Sequence, residues 1–180
     1  MTLSRHGDVK EVLGDPDRFT AGREALDLGQ KRPVLPLQAD PSDHPRLRAA
    51  LDPVFAPSAV AAHEAALRSH AQRLISGFPP TGSVEANGAF SRQLPLLALI
   101  ELLGLPVSDV GALGRLHDGI LGPGASESPE TRAEAGARIY AYLEPLVAAR
   151  RDEAGTDLIR ALHRARRTGG QLTDEDIVDT

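Results

Sequence analysis

The chain has 180 residues, enough for one ordinary domain with a real hydrophobic core. A hydrophobic content of 41% argues against disorder, and a net charge of −5 with scattered acids argues against a nucleic-acid binder, which needs a basic excess to release counterions. The absence of Cys removes disulfides, zinc–thiolate sites and thiol nucleophiles together.

Aromatic residues make up 3% and Trp is missing, so the core must be built from Leu, Ala, Val and Ile. Met1–Lys10 is polar and no apolar run approaches the roughly 18 residues of a membrane span, so a cytoplasmic protein is expected. Helical periodicity dominates. Asp8 to Leu13 puts Val9, Val12 and Leu13 on one face, and Gly14-Asp15-Pro16 stops it. Thr20 to Pro36 reads as a loop. A helix starts near Ser42 or Asp43, because Pro45 is comfortable only in a first turn. Pro53 and Pro57 punctuate the segment after it, and Ser58 is expected to cap a long helix, Ala59 to Phe78.

After Pro79-Pro80-Thr81-Gly82, an apolar helix is predicted from about Phe90 to Leu103, ending at Gly104 with Pro106 beyond. Ser108 is expected to cap the next helix, through Leu113, Leu116, Ile120 and Leu121; a loop then runs to Ser128. Pro129 to Arg151 reads as a long helix with Ile139, Leu143, Leu146 and Val147 on its apolar face. Asp157 opens a short helix ending at Gly169-Gly170. Its Arg160, Arg164, Arg166 and Arg167 read as a solvated basic face. Thr173 caps a last helix that has made about one turn at Thr180. So short a helix has not offset its nucleation cost, which is the mark expected of a truncated chain.

The most informative stretch is Asp40-Pro41-Ser42-Asp43-His44-Pro45-Arg46-Leu47-Arg48. His44 and Arg48 lie four apart, so on a helix they point the same way, and a guanidinium fork beside an imidazole suits carboxylates. An isolated His-x-x-x-Arg is ordinarily a solvated helix face. Here the run from Leu35 through Arg48, then Leu51-Asp52-Pro53-Val54-Phe55-Ala56-Pro57, resembles the C-helix signature of bacterial cytochromes P-450. It departs by Ser42 for a Pro, Asp43 for a Glu, Ala49 for a second Arg, and an unusual Pro45. Ser4 to Thr20 is similar to that family's B helix and the turn after it, and Ile100 to Pro106 to its E-helix end. Asp157 to Leu162 and Gly170 to Thr180 are similar to its H helix and the approach to its I helix.

The resemblance implies a mainly α chain, a partial cytochrome P-450 fold in which residues 1–180 form one incomplete domain without the heme-ligand half. It implies that His44 and Arg48 bind the heme propionates. The full-length enzyme would be a heme-iron monooxygenase acting with O2 on a small apolar substrate, with electrons from a ferredoxin-type donor. This chain alone is expected to be inactive and to bind heme weakly at best. It has no Cys for an axial thiolate and ends before the family's I-helix acid–alcohol pair and Glu-x-x-Arg. Arg46, off the His44–Arg48 face, is expected at the surface, either facing the donor or simply solubilising. Leu26 to Leu37 and Leu116, Ile120 and Leu121 resemble parts of the family's substrate wall but read equally as packing.

His63 and His70 are seven apart, about 10 Å along a helix, too far for one metal. His117-Asp118 lacks a nucleophile elbow. The alternative is a stand-alone helical interaction protein derived from such an enzyme, without catalysis. It would unfold cooperatively with no heme, whereas a fragment would expose apolar faces and bind dyes.

Overall fold

A computed structural model describes residues 2–20, 32–121, 129–169 and 171–180; the side chains of 120, 121 and 129–132 are also outside the description. The loop expected at 20–36 therefore falls largely outside the described residues, as does the one before Ser128. Among the described residues the structure is helical, without strands: α1 (His6–Leu13), α2 (His44–Leu51), α3 (Pro57–Ala61), α4 (Glu64–Ser76), α5 (Gln93–Leu103), α6 (Val110–Leu121), α7 (Pro129–Ala149), α8 (Leu158–Arg167) and α9 (Asp174–Asp179). No described helix is long and apolar enough to cross a membrane.

The main core is assembled from sequence-distant pieces. Leu47, Ala50 and Leu51 of α2 meet Ile159 and Leu162 of α8, Val147 of α7, and Ile177 and Val178 of α9. A smaller cluster, Ile100, Leu105 and Leu113, sits where α5 meets α6. α7 packs on both α6 and α9, which joins the two clusters. Helix α6 comes so near α7 that a Cβ on Gly119 would lie 2.9 Å from the Cβ of Ala135. Buried polar links add direction to this apolar packing. The fully buried His163 of α8 has Nε2 2.8 Å from the Val147 carbonyl, and Tyr142 donates to Asp109 at 2.8 Å. Burial first, and that hydrogen bond second, push the Tyr142 phenol up to about 12.

Several expected boundaries shift. The long helix expected from Ala59 to Phe78 is two helices: the amides of Ala62 and His63 bond three residues back, to Ala59 and Val60, tightening the chain between α3 and α4. α3 has no fully buried side chain. Phe78 instead packs edge-on against Phe90, with ring centroids 6.4 Å apart. Before α5 the chain makes a wide π turn, Asn87–Ser91, whose leading amides donate to the Glu85 carboxylate. Ser108 caps nothing; it sits inside a 3₁₀ turn, Val107–Asp109, with its hydroxyl on Asp109. α7 runs through Pro145, whose missing N–H deprives the Ala141 carbonyl of its helical donor.

Other caps form as the sequence implies. Asp157 accepts from the Arg160 amide at 3.1 Å at the start of α8. Thr173 and Asp176 make a reciprocal capping box at the start of α9. Gly104 ends α5 in the left-handed region, with φ 61°, and the Leu105 amide donates back to the Ile100 carbonyl. A Cβ there would also lie 2.9 Å from Asp157 Cβ. Gly104→Ala is therefore expected to destabilise the chain by at least about 1–2 kcal/mol, from the left-handed backbone alone. Urea unfolding checks this; an unchanged midpoint would show that the α5 turn does not need glycine.

Candidate functional site

The candidate site is built on α2. Residues 40–43 turn tightly, the amides of Asp43 and His44 both donating to the Asp40 carbonyl at 2.9 Å. The helix then begins at His44, so Pro45 occupies its first turn, where the donor it lacks has no helical acceptor. The helix starts one residue after the expected Ser42 or Asp43, with Asp43 as its N-cap. Leu47, Ala50 and Leu51 are buried, while His44, Arg48 and Asp52 are exposed at successive four-residue steps.

His44 and Arg48 thus share one exposed face, about 6 Å apart by helical geometry. Arg48 already holds a carboxylate there: its Nη2 lies 2.6 Å from Oδ1 of Asp52, both side chains being about half exposed. The sequence reading does not single out Asp52, although its spacing from Arg48 is the same signal that pairs His44 with Arg48.

Arg46 departs from expectation. It is neither a free surface cation nor a solubilising one. Its Nη1 and Nη2 reach the two carboxylate oxygens of Asp176 on α9, at 2.8 and 3.2 Å. Nη1 also donates to the Gln171 carbonyl at 2.8 Å, and Nε to Asp43 at 3.0 Å. These hydrogen bonds, Asp176 first, raise the Arg46 pKa above its ordinary value. For Asp176, burial works to raise the carboxyl, but Arg46 and the Thr173 amide and hydroxyl together hold it below the usual carboxylate range. A second arginine, Arg32, stacks on Tyr140 and places Nε 2.7 Å from Asp179, whose carboxyl burial nonetheless pushes up.

The other groups singled out in the sequence are engaged elsewhere. His70 is buried with Nε2 2.7 Å from Glu101 of α5, while His63 stands at the head of α4. His117 lies 3.4 Å from Asp118, which is also paired with Arg92. The arginines of α8 are not simply solvated: Arg160 pairs with Asp157 and Glu153, and Arg166 with Asp174. Arg164 and Arg167 donate to the carbonyls of Gly155 and Arg151.

A separate apolar hollow of about 320 Å³ opens between α5, α6, α7, α8 and α9, walled by residues such as Leu99, Leu116, Leu143, Leu162 and Val178. Leu116 thus lines an open apolar surface; the side chains of Ile120 and Leu121 lie outside the described residues.

No family model matches the chain. The mycinamicin IV hydroxylase/epoxidase of Micromonospora griseorubida is 32% identical over 183 residues, covering 98% of this chain and 46% of that protein. Cytochrome P450(BM-1) of Priestia megaterium is 27% identical, covering 94% of this chain and 45% of its own length. Among solved structures, a variant of the mixed-function P450 MycG in complex with mycinamicin IV superposes with a TM-score of 0.76 at 32% identity, over 98% of this chain and 46% of the other. The helical architecture is a partial P450 fold. The chain belongs to the cytochrome P450 family and spans about half the length of the curated relatives it matches.

The clamp on α9 has a pH signature. Because the folded-state pKa of Asp176 is depressed, its contribution is full above the unfolded value of about 3.9 and is lost as pH falls through the lower folded value. Asp176→Asn is expected to lower stability at pH 7 and to flatten its decline below about pH 4. Urea unfolding at stepped pH checks this; parallel curves for the two proteins would remove Asp176 as a source of acid sensitivity.

Proposed function

We propose that this chain contributes the carboxylate grip for heme in a cytochrome P450 monooxygenase, His44 and Arg48 together engaging the porphyrin propionates. The observation that carries this reading is the Arg48–Asp52 contact: the guanidinium beside His44 already takes a carboxylate on the exposed face. A propionate would replace Asp52 on Arg48, an exchange of one carboxylate for another. That exchange opposes binding only weakly, because an exposed pair four residues apart is worth about 0.3–0.5 kcal/mol. His44 supplies a second donor one turn away, and two contact points define an orientation where one would leave a pivot. The planar fork of Arg48 adds angular preference that a lysine would lack.

Bound heme supplies the iron at which O2 is activated. This chain's residues suit the propionates, but with no Cys they offer no thiolate to the iron. Alone, the chain is catalytically inert. The activity of the family's longer chains, oxidation of a small apolar substrate with electrons from a ferredoxin-type donor, belongs to the complete fold. The open apolar hollow and exposed side chains such as Leu13 and Ile75 favour the partial-fold reading over a self-sufficient interaction protein.

Porphyrin titration tests the grip. The chain is expected to bind protoporphyrin roughly three- to tenfold more tightly than its dimethyl ester, which lacks carboxylates. His44→Ala combined with Arg48→Ala should erase the difference, and Asp52→Asn should widen it about twofold by freeing Arg48. Equal affinity of the unaltered chain for acid and ester would overturn the assignment. Reduced under CO after hemin addition, the same preparation should show no thiolate-type absorption band; such a band would refute inertness.

A further inference from the structure

We propose that Arg46 is the positioning residue of the carboxylate-gripping face: by fastening α2 to α9 it sets the rotation at which His44 and Arg48 are presented. This rests on the reading of His44 and Arg48 given above and extends it to a residue that points away from the porphyrin.

Few directional contacts refine the rotation of α2 beyond its buried face. The helix is two turns long, its N-cap residue Asp43 makes no side-chain cap bond, and three side chains, Leu47, Ala50 and Leu51, are buried. Burial of Leu47, Ala50 and Leu51 against α8 sets which side of the helix faces inward, but apolar contacts fix its final angle less sharply than a hydrogen bond does. Arg46 lies two residues from both His44 and Arg48, about 200° around the helix, on the side away from their face. Its guanidinium is the directional contact. It takes both oxygens of Asp176 and the Gln171 carbonyl, while its Nε is tied to Asp43.

Both ends of this contact are restrained. The Arg46 side chain is 26% exposed and that of Asp176 13%, so solvent screens the pair less than an open surface bridge. Asp176 also accepts from the Thr173 amide at 2.8 Å in the capping box, and α9 is anchored by buried Ile177 and Val178. The cleft around the pair carries Asp40, Glu175, Asp179 and Arg32 as well, with Arg32 held by Asp179 and Glu144. A line of fixed contacts therefore runs from the α9 core through Asp176 and Arg46 into α2. A rotation of that helix would move His44 and Arg48 off a common ligand.

The test separates positioning from stability. Arg46→Ala, Arg46→Lys and Gly104→Ala are compared with the unaltered chain for melting temperature and for the affinity ratio between protoporphyrin and its dimethyl ester. All three should melt lower. Positioning predicts that the ratio falls to near one in Arg46→Ala and partway in Arg46→Lys, which keeps the charge but not the fork. Gly104→Ala, destabilised at the end of α5, should keep the full ratio. If Arg46→Ala does not fold, Arg46→Lys decides alone. A full ratio in either Arg46 variant, alongside a lowered melting temperature, overturns the proposal and leaves Arg46 a structural residue. No preference in the unaltered chain would instead sink the propionate reading itself, and this inference with it.

Discussion

Residues 32–51 lie against the last helices of the described chain, and that long-range closure is what the rest of the structure depends on. The Leu35 amide donates to the Asp179 carbonyl at 2.7 Å, Arg46 grips Asp176, and Leu47 enters the core shared with Ile159 and Leu162. Each contact joins residues more than a hundred positions apart. α2 is too short to persist on helix propensity, and it stands because the far end of the chain offers it a surface. The exposed face of α2 is in turn the one carrying His44 and Arg48.

His44, Arg46 and Arg48, within five residues, meet different fates. Leu47 and Leu51 define the inward direction. His44 and Arg48 are nonetheless exposed, beside the buried side, and Arg48 pairs with Asp52. Arg46 falls toward α9, where acidic groups wait on a capped helix end. Its partner is an acid at N3 of α9, and acids are favoured at helix N-termini in any case. Asp176 is therefore stabilised twice, by the helix it starts and by the helix it holds.

The range of each interaction decides how far the sequence alone discloses it. The caps of α8 and α9 are legible because Asp157 and Thr173 act on amides three residues away. Gly104 is legible because it ends an apolar run just before a proline. The His44–Arg48 spacing is legible by the same rule, and so in principle is Asp52. The split between α3 and α4 is not: the apolar pattern from Val60 to Leu67 continues across it, while the chain tightens at Ala62 and His63. The partner of Arg46 is hidden by 130 residues of separation. Local periodicity points Arg46 off the His44–Arg48 face, but says nothing of the group that meets it there.

The apolar hollow and the charged face of α2 pose opposite demands. The hollow is lined by aliphatic side chains from five helices, several of them, such as Leu162 and Val178, buried, so an apolar group would suit it. The face of α2 presents charge, and its exposed pair loses little by exchanging Asp52 for another carboxylate. A porphyrin presents both kinds of surface, an apolar ring and two carboxylates, and the P450 relatives are about twice as long as the part this chain matches. On physical grounds the two features need not act together here. The proposed carboxylate grip needs α2 held at one rotation, and Arg46 ties that helix to Asp176 of α9. Enclosure of an apolar ring requires a second wall. The proposed grip is therefore separable in principle from the pocket, and with no Cys in the chain its contribution can be measured without that of a thiolate ligand.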